Sequence, residues 1–144
     1  MSNAPQLELR EFDKKTVDFS KSFSLEVKKL KLEPKLVADI DKLLKNNEKK
    51  IKALGKKCSK DGKVDLKKLN GGFKKEQTDL SKKLSDMLKN YEPKKSDPKN
   101  TPDKQKAKWG KIKLDTEPFY LKVKPKVKDG KVKVDFEAGI KGRF

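Results

Sequence analysis

Asp129-Gly130 divides two stretches of strict alternation. Before it, Phe119, Leu121, Val123 and Val127 are interleaved with lysines; after it, Val132, Val134, Phe136, Ala138 and Ile140 hold every second position. An Asp-Gly loop of two residues favours a type I′ turn, because both residues tolerate positive φ and the turn's twist matches that of the flanking strands. The dipeptide therefore sets pairing as well as strand identity. With Lys128 opposite Lys131, one face brings together Val127 and Val132, Val123 and Phe136, Leu121 and Ala138, and Phe119 and Ile140. Pro125 falls opposite Val134, where a residue lacking an N–H calls for an edge strand or a bulge. Ile112 and Leu114 supply a preceding strand, so residues 109–144 read as an antiparallel β-meander.

Upstream the period changes. Behind Pro34, which suits a first helical turn, Val37, Ile40, Leu44, Asn47, Ile51 and Leu54 are spaced 3-4-3-4-3, and Gly55 follows as a C-cap. A second seam, Phe73, Gln77, Leu80, Leu84, Met87 and Tyr91, is spaced 4-3-4-3-4 after the breaker Asn70-Gly71-Gly72. The short link over residues 56–63 makes residues 34–91 an antiparallel helical hairpin. Counting back from its middle sets Asn47 beside Phe73 and Leu44 beside Gln77. Each polar seam residue then meets an apolar one, so the hairpin calls for a third element, the sheet, over its stripe.

Residues 5–33 read as β. Val17, Phe19, Phe23, Leu25 and Val27 sit on odd positions while Ser20, Ser22, Ser24 and Glu26 fill even ones, which predicts a strand joined to the C-terminal hairpin. Leu7 and Leu9 suggest a shorter strand before it. Residues 92–108 hold three prolines and no large apolar side chain, and read as an exposed linker. The expected fold class is α+β: a single domain over residues 5–144, with the meander and the N-terminal strand packed on the helical hairpin.

Composition then limits the chemistry. The net charge is +18, and 38 of the 40 basic residues are lysine, the exceptions being Arg10 and Arg143. Such a chain attracts polyanions at long range. Base-edge and bidentate phosphate recognition favour the fork of arginine instead, so lysine points to contacts with little sequence selectivity. There is no histidine, which excludes imidazole acid–base chemistry and His-based triads or metal sites. A single cysteine, Cys58, excludes an intramolecular disulfide and paired-cysteine zinc motifs. No apolar run is long enough for a signal sequence or a membrane span, so a soluble, cytoplasmic chain is expected.

The loop CSKDGKVD has a superficial EF-hand look. Aligning Gly62 with the loop glycine, however, puts Lys57 and Lys68 at the terminal ligand positions, where calcium requires a carboxylate at the end. It reads as a polar turn with Asp65 as N-cap, and Cys58 as an exposed thiol without a catalytic partner. No metal or cofactor is expected.

The candidate binding surface is the meander's outer face. Alternation places Trp109, Lys111 and Lys113 opposite the core-facing Ile112 and Leu114, with Tyr120, Lys122 and Lys124 alongside. Rings among lysines are what a single-stranded nucleic-acid platform uses, the rings to stack on bases and the ammonium groups to meet phosphates. The opposing possibility is that Gly110 turns Trp109 into the core. In the Asp-Gly register Lys124 faces Asp135 and Lys122 faces Glu137, whereas Lys126 faces Lys133 and Lys128 faces Lys131 without relief. The candidate polyanion-binding residues are therefore Trp109, Lys111, Lys113, Tyr120, Lys126, Lys128, Lys131 and Lys133. The expected function is non-catalytic binding of a polyanion, nucleic acid first. The alternatives are an assembly protein acting through protein–protein or self-association, and a histidine-free nuclease.

Overall fold

The computed structural model describes residues 6–90 and 101–141; Tyr91 and the first part of the predicted linker, residues 92–100, lie outside them. A short strand, Gln6–Glu8 (β1), leads into helix Leu9–Lys28 (α1), followed by helix Pro34–Lys57 (α2). Strands Ser59–Lys60 (β2) and Lys63–Asp65 (β3) precede helix Leu66–Lys89 (α3). Helix Pro102–Trp109 (α4) then introduces strands Lys113–Thr116 (β4), Phe119–Lys128 (β5) and Lys131–Ile140 (β6). Two three-stranded antiparallel sheets result, ordered β1-β3-β2 and β4-β5-β6. The architecture is α+β.

The C-terminal hairpin has the register expected from Asp129-Gly130, from Lys128 opposite Lys131 to Phe119 opposite Ile140. Both turn residues have positive φ, 54° and 74°. Pro125 lies on the central strand, but β4 pairs with β5 no further than Lys122, and the last bond between the two sides runs from Val123 N–H to the Ile112 carbonyl. Beyond that point no described strand pairs with this side of β5, where Gly110 at the end of α4 lies against the Pro125 ring, so the missing N–H of Pro125 deprives no strand partner.

The N-terminal strand predicted over Val17 to Val27 is a helix. The buried residues of α1 are Phe12, Thr16, Phe19, Phe23 and Val27, all on one helical face. Phe19, Phe23 and Val27 are four apart, a spacing that fits both a strand and a helix. Thr16 decides the matter by occupying the seam, its hydroxyl donating to the Phe12 carbonyl at 2.8 Å. Leu25, which completed the apparent alternation, is 59% exposed.

The link between α2 and α3 is itself a hairpin. Asp61 and Gly62, with φ of 56° and 76°, turn β2 into β3, and β1 adds to the far side of β3. Leu9 N–H donates to the Gly62 carbonyl, tying the start of α1 to the turn. Asp65 caps α3 as expected, its carboxylate accepting from Lys67 N–H and Lys68 N–H. Cys58 is half-buried at the end of α2 rather than exposed.

Neither glycine site ends a helix. Gly55 lies inside α2, where a β-carbon would sit 2.1 Å from Phe12 Cε1, so its smallness admits the ring. Gly72 lies inside α3, which runs unbroken through Asn70-Gly71-Gly72, and a β-carbon there would meet Leu54 of α2 at 2.7 Å. Asn47 and Gln77 face each other instead of apolar partners, with Gln77 Nε2 donating to Asn47 Oδ1 at 3.2 Å.

α2 packs on α1 and α3, and those two helices meet the C-terminal sheet. Phe119 joins the layers. Its ring lies 5.5 Å from Phe12 and from Phe19 of α1, and stacks on Phe73 of α3 at 5.0 Å. α3 also covers the edge of β6. Ser85 Oγ donates to the Val134 carbonyl and accepts from Val134 N–H, and Asn70 Oδ1 accepts from Ile140 N–H. The outward backbone groups of Val134 and the Ile140 N–H, which would otherwise be open to another strand, are thereby occupied.

Candidate polyanion interface

The lysines predicted to bind, Lys111 excepted, project from the sheet face opposite the buried Leu114, Phe119, Leu121 and Val123. The two pairs nearest the turn are Lys128 with Lys131 and Lys126 with Lys133; Lys124 with Asp135 comes next, then a row of Lys113, Lys122 and Glu137, then Asp115, Tyr120 and Gly139. The lysines in these rows are all exposed.

The ion pairs run diagonally. Lys124 Nζ is 3.1 Å from Glu137 and Lys126 Nζ is 3.5 Å from Asp135, rather than Lys122 on Glu137 and Lys124 on Asp135. Long side chains reach such diagonal neighbours across a twisted ladder. The shift moves the unrelieved charge. Lys126 gains a carboxylate that the direct register denied it, while Lys122 loses one and stands beside Lys113. Among the described residues, Lys113, Lys122, Lys128, Lys131 and Lys133 form no ion pair.

Glu137 feels this arrangement most. The hydrogen bond from Lys124 and then its charge, with a smaller contribution from the charge of Lys122, hold its carboxyl below the usual glutamate range. Asp115 is engaged by Lys141, which donates to its Oδ2.

Of the two rings of the expected platform only Tyr120 lies on this face. Trp109 is fully buried at the end of α4, with Gly110 as the helical C-cap. The linker reading fails here because Thr101 caps a helix, accepting from Lys104 N–H, with Pro102 in its first turn. α4 buries only Gln105 and Trp109, four residues apart, a seam too sparse to register against its lysines. Lys111 is exposed in the turn after α4, where its N–H bonds the Lys108 carbonyl, and stands outside the sheet. Tyr120 is half-buried across its strand neighbour Gly139, whose added β-carbon would lie 2.6 Å from the phenol oxygen. The ring covers backbone that a glycine leaves bare.

What remains is a field of ammonium groups on a rigid ladder, able to attract phosphates or carboxylates and lacking the indole for base stacking. Among the described residues no helix is long and apolar enough to cross a membrane. No protein-family model matches the chain, and no curated protein or solved structure shows significant similarity to it.

Proposed function

We propose that the protein is a non-catalytic binder of polyanions, nucleic acid foremost, that engages phosphates through lysines with little sequence selectivity. The observation that carries this reading is the hairpin tip, where, among the described residues, Lys128 faces Lys131 with no carboxylate on either, and Lys133 faces a Lys126 whose own charge is met by Asp135. Like charges in directly opposed positions destabilise a ladder until an anion lies between them. Lysine acts on phosphate as a point charge, so the tip is suited to backbone contacts and poorly suited to reading bases.

The assembly reading has less support at the C-terminal sheet, where Ser85 and Asn70 engage Val134 and Ile140 on the edge of β6 and Pro125 lies on the unpaired side of β5. For the nuclease reading, Glu137 is held ionised on an open face by Lys124, the reverse of the tuning that a general base near neutral pH needs.

Titration of labelled duplex and single-stranded oligonucleotides over a salt series tests the proposal. Affinity should fall linearly with salt on logarithmic axes, as counterion release requires. Absence of binding to either probe at low salt overturns it.

A further inference from the structure

The basic charge is not spread evenly over the helices. α1 carries five basic residues against four acidic, α3 seven lysines against three acidic residues, and α2 eight lysines against three. Within α2, Lys42, Lys45, Lys49, Lys52 and Lys56 recur at spacings of 3-4-3-4. That spacing puts them in one row, on the face opposite the buried seam of Ile40, Leu44, Asn47 and Ile51. All but the half-buried Lys52 are exposed. Two of the three carboxylates of α2 have partners: Asp41 accepts from Ser24 of α1, and Glu48 lies 3.9 Å from Lys52.

At 1.5 Å per residue the row is about 21 Å long. Successive lysines of the row are i,i+3 or i,i+4 neighbours of like charge, with Glu48 meeting only Lys52 among them, an arrangement that destabilises an isolated helix and is relieved by an external anion of matching length. α2 has no aromatic side chain, and the one tryptophan of the chain is buried. Single strands are gripped largely through such rings. Duplex nucleic acid instead offers a rigid, dense line of phosphates, one charge per roughly 1.7 Å of axis.

We infer that the outward face of α2 is a second polyanion-binding surface, separate from the hairpin tip, and that its occupant is the phosphate backbone of double-stranded nucleic acid. This rests on the polyanion reading above and deepens it. α2 packs against α1 and α3, so the row lies on a different layer of the molecule from the open face of the sheet.

The test is the salt dependence of binding to a short labelled DNA duplex and to one of its strands. The full chain is compared with two triple variants, Lys42→Gln/Lys45→Gln/Lys49→Gln and the same positions changed to Arg. Glutamine removes three charges while keeping helix propensity and the Glu48–Lys52 pair; arginine restores the charge. The glutamine variant should lower the slope of log affinity against log salt by about 2 to 3 for the duplex, and the arginine variant should recover it. An unchanged slope in a glutamine variant that melts like the parent overturns the α2 surface and leaves the polyanion reading standing on the hairpin. Tighter binding of the parent to the single strand than to the duplex overturns the choice of occupant. Binding to neither probe at low salt defeats both.

Discussion

Gln77 Nε2 donates to Asn47 Oδ1 inside the α2–α3 seam, while Gln77 Oε1, equally buried, has no partner among the described residues. Asn47 sits nearer the surface, on a water-sized pocket it shares with Asn46, Glu76 and Asp79. The two residues are therefore not equivalent. Asn47→Leu strands both ends of a buried amide and should cost about 1–3 kcal/mol. Gln77→Leu removes the orphan oxygen and leaves Asn47 within reach of water, so it should cost less. The double substitution should return close to the parent's stability. Denaturant unfolding of the four proteins as a double-mutant cycle measures the difference.

Two glycines should respond to alanine with opposite signs. At Gly55 the new methyl would collide with the buried ring of Phe12, and overpacking of about 1–3 kcal/mol outweighs a helix-propensity gain of up to about 1 kcal/mol. At Gly71, exposed within α3, a β-carbon meets nothing within 4 Å, so alanine should stabilise by about 0.5–1 kcal/mol. Thermal unfolding of the single variants is sufficient to separate them.

Lys131→Glu should part stability from binding. It turns the opposed pair with Lys128 into one of unlike charge, worth a few tenths of a kcal/mol at an exposed site. The same change should weaken polyanion binding and lower its salt slope by about 1–2. A variant with higher Tm and undiminished affinity would exclude the hairpin tip from the interface.

The carboxyl of Glu137 should titrate below the usual glutamate range, and Lys124→Ala should bring it back up. Because the folded-state value is the lowered one, the stabilisation is fully present above the unfolded-state value and disappears as pH falls through the folded one. Carboxyl chemical shifts followed by NMR across the acid range report the midpoint. Added salt should reduce the difference between parent and variant, since the pair faces solvent.

Trp109 should emit at short wavelength and resist acrylamide quenching, with neither property altered by a saturating oligonucleotide. A red-shifted, readily quenched indole would restore the stacking platform that the fold removes.

The parts of the fold legible in the chain are those where a local signal also carried long-range information. Asp129-Gly130 specified the partner of every residue over ten strand positions, since long alternating runs flank it. Asp61-Gly62 is the same signal, but its flanks are three residues or fewer and hold one buried apolar residue, Val64, so no alternation announces it. Missing that turn displaced the helical register. Centred on Asp61-Gly62 instead of the middle of residues 56–63, the seams bring Asn47 to Gln77, and two unexplained polar residues become one hydrogen bond. α1 was hidden by a spacing of four common to both periods, and by a threonine acting as a core residue. At the candidate surface, alternation placed the lysines, whereas the diagonal direction of their ion pairs depends on sheet twist. The lysine row of α2 was visible as a spacing, and became a face only once the opposite side was known to be buried.

Phe119 has a bearing on the birth of the chain. Its contacts with Phe12, Phe19 and Phe73 span most of the sequence, so during synthesis the helices emerge well before the ring that joins them to the sheet. Until residue 119 clears the ribosome, the three earlier phenylalanines lack their common neighbour and the nascent helices keep an apolar face open to other chains. The strand that completes the core follows every described helix in chain order, and a chain cut short anywhere upstream of it has helices with no C-terminal sheet to close upon.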